Sequence, residues 1–231
     1  YTVSTNPGSY SVTLYAQWEL INLLDDATYM QDLTAAQVHR GVPDGATATL
    51  IDRRDNNRYT VAKINGACWM TQNLRLSGGR TLTSADSNVA RNWTFPSTSL
   101  AAGDSYTAAR STIGSNTSYG GYYNFCAASA GTNCQVSTAT NTAYDICPKG
   151  WRLPTYREMS SITGYSPVFS PVYSGYYGDG LLFSTGSIGY WWSATANGSG
   201  YQYSLYYGYN NLATEYNDKS FGFSVRCIRS S

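Results

Sequence analysis

The residues whose types and spacing could do chemistry are, first of all, five cysteines: Cys68, Cys126, Cys134, Cys147 and Cys227. None of them forms a C-x-x-C pair, the spacing that zinc binding and thiol redox chemistry prefer. We therefore expect disulfides, between Cys126 and Cys134 across a short loop and between Cys147 and Cys227 across a long one. The long closure is worth about 4 kcal/mol on the loop-entropy argument. Cys68 lies in an apolar run, which indicates a buried, unreactive thiol.

Other catalytic or metal-binding side chains are few. His39 is the only histidine and lies in a predicted connector helix, so neither a histidine-based triad nor an H-E-x-x-H zinc site is expected. Asp52, Asp55, Asn56 and Asn57 are oxygen donors, but their spacing lacks the alternation and distal glutamate of an EF-hand. A hairpin turn is the expected role of these four residues. We expect no catalytic residue, no metal and no cofactor.

Composition narrows the class of partner. The chain has 231 residues, a net charge of +1 and only 13% charged residues, so no basic field suggests nucleic acid. Polar residues interrupt every apolar run well before the ~18 residues of a membrane span, which argues against membrane insertion. The chain begins in strand-like sequence rather than with a secretion signal, and we expect it to be a piece of a longer, exported protein.

Tyrosine supplies the strongest hint of function. Twelve of the 22 tyrosines lie between Tyr156 and Tyr216, and from Met159 through Thr214 the only charged side chain is Asp179. Tyrosine with Ser, Gly and Asn is the composition of antibody-like contact loops, although an aromatic β protein can also carry many tyrosines in its framework. We predict a protein or glycan contact surface within residues 173–218. The candidate ligand-binding residues are Tyr176, Tyr177, Asp179, Asn197, Ser199, Tyr201, Ser204, Tyr206, Tyr209, Asn210, Asn211, Tyr216 and Asp218.

The densest stretch, YQYSLYYGYNN at residues 201–211, reads as one strand and its turn. Strand alternation places Leu205 and Tyr207 on one side of the strand and Ser204, Tyr206 and Gly208 on the other. Resemblance of Leu205 and Tyr207 to the framework strand of a known family implies that their side is core, so the second side is expected to face outward. The two ends of the stretch, where strand gives way to loop, are expected to carry ligand contacts.

Period-2 patterns and turn signals place the remaining elements. A capping box, with Thr155 as N-cap and Glu158 three residues later, predicts a helix that runs to about Thr163 and ends at Gly164. One or two short helices are predicted between Asp26 and Val38, and long ordered loops over residues 77–145. Strands are predicted at residues 10–18, 47–52, 58–64, 181–183, 190–194, 201–209 and 221–228.

Five motifs occur in order along the chain. They are DRRDNNRY at 52–59, CWMTQNL at 68–74, ICPKGWRLPT at 146–155, YWWS at 190–193 and GFSVRC at 222–227. Over about residues 47–229 the chain resembles the Fibrobacter succinogenes major paralogous domain. That resemblance implies an α+β, C-type lectin-like fold with two short helices, small antiparallel sheets and long ordered loops. Relatives often have a further cysteine near the position held here by Val38 or His39, which would pair with the equivalent of Cys68. This chain has no cysteine at that position, so that partner for Cys68 is missing.

The resemblance also suggests a domain order. Residues 1–18 are similar to the last strands of a Listeria/Bacteroides-type surface repeat, which often close on a sequence like LYAQW at 14–18. We therefore expect the end of a β surface repeat at 1–18, a helical connector at 19–46 and the lectin-like domain at 47–231. The implied location is extracellular, on the cell surface or secreted.

The expected function is that of a non-enzymatic, adhesin- or receptor-like display domain. Variable proteins of diversity-generating retroelements share the implied fold, and residues 195–220 have the Tyr, Ser, Asp, Gly and Asn content that adenine-directed mutation produces. The alternatives are an oxidase like the formylglycine-generating enzymes, for which Cys126 and Cys134 would form the redox pair, and a structural surface or pilus component. Calcium-dependent sugar binding is disfavoured, because residues 216–218 only partly resemble the lectin motif.

Overall fold

The computed structural model describes residues 2–5, 10–13, 27–39, 42–100, 107–112, 118–134, 141–198 and 200–229. These residues form several small antiparallel sheets and a few short helices, a mixed α+β fold that is mostly β. The strands are β1 (Thr2–Thr5), β2 (Tyr10–Thr13), β3 (Thr47–Ile51), β4 (Arg58–Ile64), β5 (Ala67–Met70), β6 (Thr81–Leu82), β7 (Trp93–Thr94), β8 (Arg110–Thr112), β9 (Gly121–Tyr123), β10 (Tyr176–Gly178), β11 (Leu181–Phe183), β12 (Ile188–Asn197), β13 (Tyr201–Gly208), β14 (Asn211–Asp218) and β15 (Ile228–Arg229). The α-helices are α1 (Ala35–His39), α2 (Phe125–Ala128), α3 (Tyr156–Ser161) and α4 (Ser166–Phe169), so the described residues hold four short helices where the family resemblance implied two.

The first sheet contains both β3, which begins at Thr47, and β15, the last strand, which ends at Arg229. Its strand order is β15-β5-β4-β3, and β15 pairs with β5 through Ile228 and Trp69. The predicted hairpin is confirmed: β3 and β4 pair antiparallel, and the turn between them is fixed where Asp55 accepts a hydrogen bond from the Asn57 backbone N–H at 2.9 Å. Asp52 is buried, and its carboxylate pairs with Arg54 at 2.6 Å rather than facing a ligand.

The second sheet has the order β12-β13-β14 and carries the tyrosine-rich sequence. Trp192 of β12 anchors this sheet to the core, stacking on Phe223 with ring centroids 4.3 Å apart and contacting Phe125 edge-on at 5.5 Å. The predicted strand at 221–228 is mostly wrong. Gly222, Phe223 and the next residue bridge to Tyr177, Tyr123 and Trp191, so this segment touches three different sheets and pairs with each only locally.

Both expected disulfides are present. Cys126 bonds to Cys134, and Cys147 bonds to Cys227 across a sequence separation of 80 residues. Cys68 is the free, buried cysteine, and burial raises the pKa of its thiol to about 12. The thiol is therefore protonated and unreactive at neutral pH.

Residues 27–39 pack into the same core as the first sheet. They form a 3₁₀ turn at Met30–Asp32 and the helix α1, and Met30, Leu33 and Val38 are buried. The Trp151 indole N–H donates to the Met30 carbonyl at 2.7 Å, which fixes the turn to the domain. Of the strand predicted at 10–18, residues 10–13 form β2, paired with β1, and the rest lies outside the described residues.

The capping box before α3 is confirmed. The Thr155 hydroxyl accepts from the Glu158 backbone N–H, and the Glu158 carboxylate accepts from the Thr155 backbone N–H at 2.7 Å. Arg152 donates to both oxygens of the same carboxylate, which lowers the pKa of Glu158 despite its partial burial. The α-helix ends at Ser161, earlier than expected, and Gly164 does not end the helical segment, because it lies in a 3₁₀ turn at Thr163–Tyr165 that leads directly into α4.

Candidate functional site

The exposed large hydrophobic side chains of the described residues concentrate in one part of the chain. Five of the six lie between residues 181 and 216, in or beside β11, β13 and β14. The sixth, Tyr144, lies outside this part of the chain. In descending order of exposure the five are Tyr209, Leu181, Tyr216, Tyr201 and Phe183.

The β13–β14 hairpin separates the predicted contacts into two groups. Tyr201 pairs with Asp218 at the open end of the hairpin, and Gly208 pairs with Asn211 at its tip. A strand of eight residues spans about 25 Å at ~3.3 Å per residue, so the two ends cannot contact one small ligand. The predicted contacts therefore form two separate candidate sites, one at the open end of the hairpin and one at its tip, whereas the sequence predicted a single surface.

At the tip, Tyr209 and Asn210 form a two-residue loop with φ of 52° and 58°. Positive φ at both central residues defines a type I′ turn, for which asparagine is suited and a bulky aromatic residue is unusual. Tyr209 is 94% exposed, so its ring projects into solvent from a strained backbone. Asn210 accepts a hydrogen bond from the Tyr173 hydroxyl at 3.2 Å, and Asn211 is exposed.

At the open end lies a pocket of about 500 Å³, which we call the aromatic pocket. It gathers four of the predicted contacts with three residues that the sequence argument did not select. The lining residues are Asp179, Tyr201, Tyr216, Asn217, Asp218, Ser220 and Phe221.

Two tyrosine rings and two carboxylates give the aromatic pocket its chemistry. Tyr201 and Tyr216 meet edge to face with centroids 5.9 Å apart, and they are 49% and 58% exposed. Asp179 is exposed in the β10–β11 turn, where it and Gly180 have φ of 49° and 72° in a second type I′ turn. Asp218 is half-buried and oriented by the Ser220 backbone N–H, which donates to it at 2.8 Å.

Lys219, the basic residue next to Asp218 in the sequence, points away from the aromatic pocket. Lys219 is fully buried, with its ammonium over the Phe125 ring at 5.6 Å and donating to Asn133 at 3.1 Å. Burial lowers the pKa of Lys219. Neither carboxylate of the pocket is therefore neutralised by this lysine.

A strip of side chains on the other face of β14 leads from the aromatic pocket toward the tip. Asn217 donates to Glu215 at 2.7 Å and to the Ser204 hydroxyl at 3.0 Å. Burial, then the charge and hydrogen bonding of Glu215, raise the pKa of Tyr190. The Tyr190 and Tyr206 rings lie 5.2 Å apart and are half-buried.

Three of the predicted contacts pack against the framework: Tyr176 and Tyr177, which are half-buried, and Ser204. Tyr176 packs among aromatic rings, with Phe183 at 5.5 Å, and Tyr177 contacts the Tyr122 ring at 5.2 Å. Ser204 is fully buried, so the expectation that it faces outward is wrong, as it is for Gly208. Leu205 on one face of β13 and Ser204 on the other are both fully buried, so other parts of the protein cover both faces of the strand at this point. Asn197 is half-buried at the end of β12, and residue 199 lies outside the described residues.

A buried polar node fixes the base of the tyrosine-rich segment. The Asn73 amide oxygen accepts from the Trp191 indole at 2.7 Å and from the Arg226 guanidinium at 2.8 Å. Arg226 also donates to the carbonyls of Phe169 and Ser170 and lies over the Phe169 and Trp191 rings. Burial lowers the pKa of Arg226 to about 9. Each of the three guanidinium nitrogens nevertheless donates to a carbonyl oxygen.

The sequence carried signals for some of the missed elements and residues. The Asp179-Gly180 pair is a strong hairpin signal, and it would have predicted β10 as well as β11. Phe221 is a large apolar residue that follows the polar residues 217–220, where partial exposure is a plausible alternative to core packing. No local pattern could show that Phe221 and Asp179 share one pocket.

Other site chemistries receive no structural support in the ranges described. Within them, no group of three or more His, Cys, Asp or Glu side chains is arranged to hold a metal ion. The helices of the described ranges are all too short or too polar to cross a lipid bilayer.

Comparison with known proteins identifies part of the framework. Residues 62–168 match the family model of the Fibrobacter succinogenes major domain. This supports the family resemblance seen in the motifs at 68–74 and 146–155. The matched region begins in β4 and ends in α4, before the contact surface predicted within residues 173–218. No curated protein and no solved structure matches the chain.

Proposed function

We propose that this chain is an extracellular, non-enzymatic ligand-binding domain of a bacterial surface protein, with a C-type lectin-like fold. Its aromatic pocket binds a protein or glycan. The observation that carries the proposal is the pairing of two half-exposed tyrosine rings with polar groups around a cavity of about 500 Å³. Ligand sites commonly have this size, and tyrosine gives a large, rigid contact area at small entropic cost.

The two disulfides are consistent with an extracellular protein, because such bonds form and persist in oxidising compartments. They also bear on the oxidase alternative. Cys126 and Cys134 are bonded to each other, and Cys126 is buried. An oxidase would require one of these sulfurs to become a reactive thiolate facing a substrate, whereas a structural staple requires neither exposure nor reactivity.

Retroelement-driven variation is a finer part of the proposal. Residues 195–220 have the composition that adenine-directed mutation produces, and they lie beyond the family match, which ends at residue 168. The test is genomic: a near-copy of the 3′ coding end that differs at adenines, beside a reverse transcriptase gene. A genome with neither feature would rule out retroelement variation and leave the binding proposal standing.

The experiment for binding compares three proteins on glycan and surface-protein arrays. We expect the wild type to bind a ligand, and the double variant Tyr201→Ala/Tyr216→Ala to bind it at least tenfold more weakly, since buried aromatic contacts dominate interface energies. The control Tyr144→Ala removes a tyrosine outside the pocket that is 41% exposed, slightly less than the two pocket tyrosines, and should bind normally. An absence of any ligand, or equal loss in the control, contradicts the proposal. Ordered self-association would instead favour a structural component.

A further inference from the structure

A second pocket, of about 250 Å³, lies in the framework of the domain, and we call it the arginine pocket. It shares no lining residue with the aromatic pocket, and most of its lining falls within residues 71–75, inside the part of the chain that matches the family model. The lining residues are Thr71, Gln72, Asn73, Arg75, Ser118, Ser170 and Val172. Six of these seven are polar, one is basic and none is acidic.

Arg75 and Gln72 are held in place and keep donor atoms for a ligand. The Nη2 atom of Arg75 donates to the Arg58 carbonyl at 3.0 Å, and the guanidinium lies over the Tyr59 ring, 5.3 Å from its centroid. The Gln72 amide oxygen accepts from the Thr60 backbone N–H at 2.9 Å, which leaves the Gln72 NH₂ group without a partner among the described residues. Arg75 makes no ion pair with any described carboxylate. The pocket therefore contains a positioned cation and a positioned amide donor.

A second guanidinium lies behind the wall of the arginine pocket. Arg226 donates to two lining residues, to the Asn73 amide oxygen at 2.8 Å and to the Ser170 carbonyl at 3.0 Å. Arg226 is buried and has no ion pair with a described carboxylate, and burial lowers its pKa without an acidic group to oppose the effect. A buried charge without a counterion is costly, so an anion in the adjacent cavity would offset part of that cost.

The described carboxylates do not neutralise this pocket from within. The charges of Asp55 and Arg75 shift the pKa of Tyr59 in opposite directions, so Asp55 lies within electrostatic range of the same tyrosine. The Asp55 carboxylate, however, accepts from the backbone N–H and the side-chain amide of Asn57, and it does not line the pocket. The potential in the cavity is therefore set by Arg75, with Arg226 behind it.

A carboxylate on a small hydroxylated molecule matches this cavity. The planar fork of a guanidinium pairs with both oxygens of a carboxylate, and a single lining cation matches a single negative charge. The surrounding hydroxyl and amide groups suit a ligand with hydroxyl groups of its own, because each polar group that the ligand covers then keeps a hydrogen-bond partner. The cavity is smaller than the ~300–1,000 Å³ of sites for drug-sized ligands, so it suits a single ring.

We propose that the arginine pocket binds one acidic sugar residue, with Arg75 pairing with its carboxylate and Gln72 donating a hydrogen bond to it. This site is separate from the aromatic pocket, and the inference does not rest on the function proposed for that pocket. Binding should weaken as salt is added, because the ion pair is partly exposed. A free sugar acid and an acidic residue at the end of a glycan present the same chemical group, and the test distinguishes these two sources.

The test follows NMR chemical shifts of the isotope-labelled 231-residue chain during titration with glucuronate, with glucose as the neutral sugar and acetate as the bare carboxylate. We expect glucuronate to shift the signals of residues 71–75 and 170, glucose to leave them unchanged, and acetate to bind more weakly. An array of acidic glycans runs in parallel. Binding of glucuronate-ended glycans without free glucuronate identifies a glycan as the source, whereas binding of both identifies the sugar acid itself. Equal shifts with glucose, acetate as tight as glucuronate, or no binding in either arm would overturn the inference.

Charge variants of the chain complete the test. Arg75→Gln removes the lining charge, and Gln72→Glu introduces an opposing charge while keeping an oxygen to accept from Thr60. Each should weaken glucuronate binding at least tenfold, and unchanged affinity in a folded Gln72→Glu variant would contradict the proposed site.

A matched control is Arg58→Gln, which removes the charge of an exposed neighbouring arginine that does not line the pocket and should leave affinity unchanged. Equal losses in all three charge variants would show a long-range charge effect and overturn the pocket contact. Tyr201→Ala/Tyr216→Ala should bind glucuronate normally, which keeps this result distinct from binding at the aromatic pocket. Thermal melts establish that each variant is folded.

Discussion

The exposed tyrosine at the hairpin tip allows a test in which a substitution should stabilise the protein. Tyr209 has a φ of 52° and is 94% exposed, so it carries the cost of a left-handed backbone with almost no burial to offset it. That conformation costs an ordinary side chain about 1–2 kcal/mol, and asparagine tolerates it several-fold better than most residues. Tyr209→Asn should therefore recover about 1 kcal/mol of backbone strain.

The loss on the other side is small. Only 6% of the tyrosine is covered, given its 94% exposure, which amounts to roughly 10 Å² of contact and ~0.3 kcal/mol. The net expectation is a rise of about 0.5–1 kcal/mol in the free energy of unfolding. For a domain of this size that corresponds to an increase of roughly 1–4 °C in Tm.

Urea denaturation and differential scanning calorimetry measure this change directly. Tyr144→Asn is the matched control, because Tyr144 is 41% exposed and lies outside the set of residues with positive φ. The control should be neutral or slightly destabilised. A Tyr209→Asn variant that loses stability, or a control that gains as much, would refute the strain argument. Affinity at the aromatic pocket should not change, because the tip lies about 25 Å away along β13.

Two further predictions concern the framework. Burial raises the pKa of Asp145 to about 6, so the folded state binds more protons than the unfolded state between about pH 4 and 6. Stability should therefore fall by up to ~3 kcal/mol as pH rises through that window, and urea titrations of Asp145→Asn should lack this part of the slope; an unchanged slope would contradict the assignment. Replacing Cys147 and Cys227 together by serine should cost about 3–5 kcal/mol, more than the equivalent change at the bond with a sequence separation of 8, because the longer loop gains more entropy on opening. Equal losses in urea midpoint would show that strain or burial, and not loop length, sets the difference.

Local sequence patterns predicted the elements that local physics determines. The hairpin β3–β4 follows from apolar alternation around a polar turn, and α3 begins at its capping box. In contrast, β5 is buried along nearly its whole length and therefore shows no alternation. The strand β14 has only Leu212 buried, so its sequence carries little period, and its pairing with β13 determines its structure.

The site was predicted in composition but not in arrangement. The choice of Tyr201, Tyr216, Asp179 and Asp218 as contacts came from residue type, and the structure places all four around one pocket. Whether they bind a ligand stays a prediction. The error at Ser204 has a tertiary cause, since alternation along one strand does not show whether a second layer covers its outer face.

The hydrogen bonds of the buried Arg226 bear on how the sequence of the tyrosine-rich segment can change during evolution. Its guanidinium donates to Ser170, 56 residues earlier, and the adjacent Cys227 is bonded to Cys147. The segment thus leaves the framework and returns to it at nearly one point, which is held by groups outside the pocket. Exposed positions between residues 171 and 225 can therefore change without loosening this closure, whereas the buried Trp191, Trp192 and Phe223 tie the stretch to the framework core.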